Sequence, residues 1–400
     1  MTLERCAAWL AVLFLATVLF SHTVALRLLL LVLGLTAAVV LAVRQRGSIR
    51  LLPQIWLPFA LWAGWALLSL FWSQEPERTA KELRNEIWYA AGALWLCFVA
   101  AQARDAPRIM LPAFAVAAAA VCGTAVYTYF VLGWEHYVSG WHSGPGNFSS
   151  TLLVLMPCAL MAAWCAHQSA WSAAARYLPL LLVAVFLVAG YTAESRTLWL
   201  ALAVQITACA ILLALRSKSG WRRRALVAGV FAIAVGTTAV AMTAHVHLKR
   251  EAVGGARTLA QDPRLVLWAE VVDNIRERPL LGYGFGRGML RTSLREELKE
   301  AQLWHAHNLF LDTALQVGLP GVVLLLALLA ATLREGWRMA RDPSPAAAAC
   351  GIALLGVVVG MLVRNMTDML LVRQNALLYW GIVGTLLGLG ATFRAPAAAR

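Results

Sequence analysis

Apolar runs long enough to cross a bilayer recur along this chain, separated by short turns that carry arginine. Runs of about 17–25 apolar residues predict membrane-spanning helices. They lie near 6–21, 24–43, 55–72, 87–103, 109–132, 149–167, 177–193, 197–215, 225–244, 309–333, 346–363 and 376–393. The reading is therefore an all-α polytopic membrane protein with about twelve spans. The first run could be a signal peptide, but it lacks an A-x-A cleavage site after the Met1–Arg5 head, so it is read as an uncleaved first span. One interval breaks the pattern. Residues 245–308 form the only long water-compatible segment and end in Trp304-His305-Ala306-His307-Asn308, directly before another apolar run. The chain thus divides into spans one to nine over 1–244, a loop over 245–308 and spans ten to twelve over 309–400.

Composition agrees with that pattern. Hydrophobic residues make up 61% of the 400 and charged residues 14%, against roughly 45–50% apolar in ordinary soluble domains. The net charge of +14 raises the question of nucleic acid. Its distribution answers it, because most of the arginine sits in short loops between spans, as topology determinants do. Arg44, Arg46 and Arg50, Arg104 and Arg108, Arg176, Arg216 to Arg224, Arg334 to Arg341, and Arg394 and Arg400 all fall on one side. The positive-inside rule makes that side cytoplasmic and places both termini there. The interval 245–308 then lies outside the cytoplasm. All seven cysteines fall in or beside apolar runs without a CxxC, so neither a disulfide framework nor a zinc site is expected. The spans show neither fixed-period repeats nor abundant internal charge, features that would favour a transporter.

Polar groups collect instead at the outer ends of the spans. Arg196 stands in Ser195-Arg196-Thr197 at the start of the eighth run. Arg264 follows Asp262-Pro263, and Leu265–Arg278 predicts an amphipathic helix with Leu265, Trp268, Val272 and Ile275 on one side. Next comes Gly282-Tyr283-Gly284-Phe285-Gly286-Arg287-Gly288, which predicts a tight turn. It is not a dinucleotide fingerprint, because no strand–turn–helix unit surrounds it. Arg364 and Asp368 lie in the last outer loop without an assignable role. Each residue alone has an ordinary reading, such as a snorkelling arginine or an interfacial aromatic. Together they suit one chemistry. Guanidinium groups bind diphosphate oxygens through planar charge-assisted hydrogen bonds, and a neutral histidine takes a proton from a hydroxyl near pH 7. Transfer of a group from a lipid diphosphate to an alcohol would use both. Trp134, Trp141, Tyr283 and Trp304 could stack on sugars or form an interfacial belt. No acidic motif marks a metal site, so metal-independent chemistry is expected.

The run from His307 carries a resemblance. His307-Asn308, nine residues from Leu309 to Val317, Gly318, Leu319-Pro320 and Gly321 resemble the signature of the O-antigen ligase family. So do Arg264 to Trp268 running into Pro279–Gly284, and Ser195-Arg196-Thr197. The resemblance extends over the whole chain and implies a GT-C-like glycosyltransferase of the Gram-negative inner membrane with a periplasmic active site. Such ligases transfer a finished glycan from undecaprenyl diphosphate to a sugar hydroxyl of lipid A-core. It implies His307, supported by Asn308, as the catalytic pair and Arg196, Arg264 and Arg287 as diphosphate ligands. His305, Tyr283, Trp304 and Asp368 would contact the acceptor or support the site. No cofactor and no nucleic acid are implied; the partners are the lipid-linked glycan, lipid A-core and membrane lipids. O-antigen polymerases and protein O-oligosaccharyltransferases share much of the signature. Outside that superfamily, the alternatives are a lipid-linked glycan flippase, whose arginines would cross the whole bilayer, and a non-catalytic scaffold.

The topology is directly testable. In a cysteine-free background, a cysteine at 260 should react with an impermeant thiol reagent in intact spheroplasts. A cysteine at 220 should react only after lysis, and the reverse pattern would place the histidines on the wrong side.

Overall fold

The computed structural model describes residues 2–45, 49–142, 144–168, 173–216, 220–221, 228–232, 236, 239, 263–298, 304–369 and 371–394. Within them every regular element is helical, with no β-sheet. In chain order these are α1 (Leu3–Val18), α2 (Val24–Arg44), α3 (Pro53–Leu68), α4 (Pro76–Leu83), α5 (Tyr89–Ala100), α6 (Ala106–Tyr127), α7 (Trp134–Val138), α8 (Gly144–Gln168), α9 (Ala173–Thr192) and α10 (Arg196–Arg216). Beyond the polar interval's undescribed part come α11 (Pro263–Glu277), α12 (Arg291–Leu298), α13 (Leu309–Ala340), α14 (Pro345–Asn365) and α15 (Arg373–Phe393).

Among the described residues, eight helices are long and apolar enough to cross a membrane: α2, α3 with its following turn, α6, α8, α10, α13, α14 and α15. These account for eight of the roughly twelve expected spans. α1 has 16 residues and α5 has 12, and Arg176–Thr192 of α9 is a shorter apolar helix. The ninth expected span, 225–244, lies largely outside the described residues. Exposed apolar side chains such as Val32, Leu57, Val116, Leu181 and Val323 line the outer surface of the bundle, as a lipid-facing wall requires.

α14 and α15 are the most enclosed helices. Small residues allow that enclosure, since helices in lipid gain most from close van der Waals approach. A Cβ on Gly384 would stand 2.4 Å from the Leu94 carbonyl oxygen of α5, and one on Gly388 2.4 Å from that of Phe98. Gln205 of α10, fully buried, donates to the carbonyls of Leu153 in α8 and Gly356 in α14 at 2.8 and 2.9 Å. Away from the histidines, basic residues act as latches. Buried Glu335 of α13 meets Arg394, Arg338 and Gln54, and Arg216 donates to Ala340 and Asp342 carbonyls at 2.8 and 2.9 Å.

At the histidine end, α13 is interrupted. Val317 and Gly318 leave helical geometry, Gly318 with φ 69° and ψ −179°. Such a break strands carbonyls that would otherwise accept from the next turn. The loop after α11 takes them: Tyr283 N–H donates to Leu315 O and Gly284 N–H to Gln316 O, both at 2.9 Å, and Leu319 N–H reaches back to Pro279 O at 2.8 Å. The Val317 carbonyl accepts from the Trp65 indole at 2.8 Å, and that of Leu281 from the Trp72 indole at 2.7 Å. The polar interval is thus stitched to the bundle by backbone bonds. α11 lies over the seam, burying Leu267 and Val271 with Trp268 and Ile275 against Tyr283, Met289, Leu294 and Leu315. The amphipathic helix is where it was expected, but its stripe is shifted. Leu265 is half exposed because 267, 271 and 275 follow an i, i+4 line toward the seam.

Gly318 is required by this geometry. A Cβ there would sit 2.2 Å from Leu280 O, in a backbone conformation few L-residues adopt. Gly318→Ala should destabilise the protein by about 3 kcal/mol. Gly64→Ala, with open space at its Cβ, serves as the control; equal thermal shifts in detergent would remove the special role of the break.

Candidate active site

Asn308 begins the site by ending the loop. Its side-chain oxygen accepts from Phe310 and Leu311 N–H at 3.0 and 3.2 Å, capping α13. Its amide donates to the Met366 carbonyl beyond α14 at 3.0 Å. Asn308 therefore fixes the entry to α13 and ties it to the α14–α15 turn. The residue before it, His307, has φ 49°, a conformation uncommon for a side chain larger than glycine and concentrated at functional sites.

The two histidine rings stack at 3.8 Å between centroids, tilted by 32°, and each has its own aspartate. His305 and Asp312 are almost fully buried, with Nδ1 3.1 Å from Oδ2. Asp312 also accepts from Ala306 N–H at 3.1 Å. His307 N–H lies 3.0 Å from the same Nδ1, so two contacts compete for one nitrogen. The buried carboxylate has the stronger, charge-assisted claim. We therefore assign the Nδ1 proton to the bond with Asp312 and leave Nε2 with the lone pair. Burial pushes His305 below the usual histidine range; Asp312 opposes this, while His307 and Arg287 add to it. His305 is a neutral, anchored ring.

His307 is more open. Its Nδ1 stands 3.5 Å from Oδ1 of Asp368, at side-chain exposures of 19% and 22%, which leaves this dyad within reach of a substrate. Burial would raise Asp368. The adjacent His307 ring and the charge of Arg364 overcome that and hold it well below the ordinary carboxylate range. Arg364, buried in the last turn of α14, lies 3.8 Å from Asp368 and donates to Ser149 of α8 at 3.3 Å. Arg264, at the start of α11, is close enough for its charge to act on Arg364. Arg287 donates to the Met369 carbonyl at 3.1 Å and lies 4.8 Å over the Trp304 ring; Arg291 lies 4.6 Å over the same ring.

The structure therefore brings together His305, His307, Asn308, Arg264, Arg287, Trp304 and Asp368. Arg196 stands apart. It is exposed at the first turn of α10 and forms no ion pair among the described residues. The antiparallel contacts of α10 with α14 do place it at the Arg364 end of the bundle. Tyr283 is a support: its ring is buried and its hydroxyl is bound to Asn274 O and Glu277 at 3.2 and 3.1 Å. The Gly282–Gly288 turn forms as expected, with positive φ at all four of its glycines. Asp312 escaped the sequence reading, although a lone acid in an apolar run was a signal. Arg364 had been noticed without a role.

His305, His307 and Asp368 also offer three ligand atoms within 4.8 Å of one another, enough to cradle a metal by distance. Charge argues for a different guest. Of the three, Asp368 alone brings a negative charge, with Asp312 behind His305. Against these two carboxylates stand Arg364 at 3.8 Å from Asp368, Arg264, whose charge acts on Arg364, and Arg287, whose charge acts on His305. A divalent cation would face net repulsion there, whereas an anion would be held.

These features define a polytopic α-helical membrane protein with a histidine–aspartate pair and an arginine group gathered at one end of the bundle. Residues 179–326, which run from α9 through the histidines and past the break in α13, match the family described as O-antigen ligase. No curated protein matches the chain.

The buried dyad should carry stability. Asp312→Ala would leave the His305 ring and Ala306 N–H without their acceptor and should cost about 1–3 kcal/mol. Asp273→Ala, removing an exposed i, i+3 pair, should change stability by less than ~0.5 kcal/mol. Thermal unfolding in detergent compares the two, and equal midpoints would contradict the buried hydrogen bonds.

Proposed function

We propose that the protein is a glycosyltransferase of the O-antigen ligase kind, moving a glycan from undecaprenyl diphosphate to a sugar hydroxyl of lipid A-core at the periplasmic face of the inner membrane. The observation that carries this reading is the His307–Asp368 pair beside Arg364 and Arg264. The acceptor hydroxyl gives its proton to His307 Nε2, while Nδ1–H is held toward Asp368. The acceptor oxygen attacks the anomeric carbon from the face opposite the diphosphate. As the new glycosidic bond forms, the bond to the diphosphate oxygen breaks, and the electron pair leaves with undecaprenyl diphosphate. Configuration is inverted in this single displacement. Arg264 and Arg364, with Arg287, stabilise the charge that builds on the leaving group. Arg196 supplies a further cation at the same end for the donor. Asp368 stabilises the imidazolium that forms, and Asn308 sets the angle at which His307 is presented. His305, buried and bound to Asp312, backs the His307 ring.

O-antigen polymerisation and protein O-glycosylation would use the same donor chemistry with another acceptor. A flippase is favoured less, because the ionic groups described gather at the ends of the bundle and leave its middle to Gln205 and glycine contacts. Reconstituted liposomes with undecaprenyl-diphosphate glycan and lipid A-core separate these readings. His307→Ala should reduce transfer by roughly 10²–10⁴-fold with donor still bound. Arg264→Ala should weaken donor use by about 1.5–3 kcal/mol, with partial rescue by lysine, which keeps the charge but loses the fork. His305→Ala should be milder. Near-normal transfer by His307→Ala would move the base elsewhere, and transfer only to a glycan or protein acceptor would change the assigned reaction.

A further inference from the structure

An apolar cavity of about 270 Å³ lies in the half of the bundle opposite the histidines. Its walls take in Ala346 and Ala349 from the first turn of α14, and Leu389 and Phe393 from the last turns of α15. The histidine site uses the other ends of the same two helices. α1, α6, α8 and α9 complete the walls. Every lining side chain is apolar or a thiol apart from Thr385, whose hydroxyl already donates to the Gly381 carbonyl at 2.9 Å. Water finds no polar partner in such a space, whereas an apolar cavity of only ~150 Å³ takes up benzene. Leu111 lies on the wall and is also 51% exposed, so the cavity opens sideways toward lipid.

Two features say what fills it. The first is depth. Lining positions run over 155–165 on α8 and 382–393 on α15, about 15 Å of helix at roughly 1.5 Å per residue. That is the depth of one leaflet, half of a hydrocarbon core roughly 30 Å thick. The second is charge at the mouth. Arg108 shares one face of α6 with the lining residues Leu111, Ala115 and Ala118, at the i+3, i+7 and i+10 positions. Arg5 precedes the lining residue Val12 on α1 in the same way, at i+7. Arg5 Nε donates to Asp105 Oδ2 at 2.8 Å just ahead of α6, and Arg104 N–H donates to Glu4 at 3.3 Å. Arg5, Arg104 and Arg108 thus stand against Asp105 and Glu4, with the side chains of Arg104 and Arg108 exposed. Arg44 in the last turn of α2 and Arg176 near the start of α9 add to the positive side at this end, and Arg394 is engaged by Glu335.

We propose that this cavity binds one anionic phospholipid of the adjacent leaflet, with an acyl chain inside it and the phosphate at Arg108 and Arg104. The site stands apart from the transfer reaction proposed above. Basic residues at the membrane surface attract acidic headgroups, and basic pockets between spanning helices bind them. A zwitterionic lipid would fill the cavity equally well but would bring its own ammonium to the arginines. A polyprenyl chain hung from the histidine end would have to cross the other leaflet first, and it would bring no charge to Arg108. The bound chain packs against α14 and α15, whose far ends carry Arg364 and the turn with Asp368. Occupancy therefore stabilises the folded bundle by mass action.

The purified full-length protein in detergent, titrated separately with dioleoylphosphatidylglycerol and dioleoylphosphatidylethanolamine, tests this by native mass spectrometry. The phosphatidylglycerol adduct should be one-to-one and at least roughly fivefold tighter. Phosphatidylglycerol with a diazirine on one acyl chain should crosslink within 110–118, 155–165 or 382–393. Arg108→Gln should lose most of the headgroup preference and keep those crosslinks. Ala115→Phe, which fills the cavity, should lose both the adduct and the crosslinks. If Ala115→Phe does not fold, Leu111→Trp at the half-exposed mouth takes its place with the same expected loss. Equal binding of the two lipids overturns the anionic headgroup site. Crosslinks spread over the outer faces of α2 and α3, or unchanged when the cavity is filled, overturn the cavity as the chain site. Displacement of the crosslinks by equimolar undecaprenyl phosphate, with phosphatidylglycerol unable to compete, gives the cavity to a polyprenyl tail and overturns the phospholipid.

Discussion

The constraint on which the site depends is the set of backbone groups stranded where α13 breaks. A helix interrupted inside a bundle cannot leave its carbonyls to water, and those of Leu315 and Gln316 accept instead from Tyr283 and Gly284. That pairing docks the 279–288 turn, which carries Arg287. It also seats α11, whose first turn carries Arg264. Below the break, the short first part of α13 runs from the Asn308 cap through Asp312, so the two histidines are held by one short rigid piece. The spacing from His307 to Gly318 acquires a physical meaning here. It is the length of helix between the histidine corner and the point where the chain must turn aside to receive the loop.

Charge is sorted along the bundle in the same economical way. At one end, Arg338, Arg394 and buried Glu335 tie helices together. At the other, guanidiniums outnumber their carboxylate partners around Asp368, which suits a group that arrives already negative. The two aspartates near the histidines divide the work by depth. Asp312 is sealed and fixes a ring in place, and Asp368 is partly open and can share in chemistry.

Much of this was legible in the chain. Apolar run length located the helices because, in a bilayer, backbone satisfaction leaves few alternatives to a helix. His307 and Arg264 were legible from spacing and from their place at span ends. Other features depend on tertiary docking that no local pattern encodes. The stripe on α11 was read one step away from its true face, because Leu267 and Val271 are chosen by the seam and not by the helix alone. The burial of Glu82 is completed by the Gly286 turn, two hundred residues later in the chain, which packs against its stem. Asp312 had a local signal, but its partner His305 was masked by the neighbouring histidine of the motif. Apolar length predicts twelve runs, and two of them form shorter helices, α1 with 16 residues and α5 with 12 following the π turn at Arg84–Trp88.

The turn between α14 and α15 has a consequence for biosynthesis. It supplies Asp368 to His307, the Met366 carbonyl to Asn308 and the Met369 carbonyl to Arg287. Every one of those partners is made earlier on the ribosome and waits for it. A nascent chain that has inserted α13 and much of α14 holds its histidines without the acid that orients His307. This cluster is completed late in synthesis, when the last pair of helices closes on the bundle, and an arrested chain shorter than this turn lacks all three of these partners.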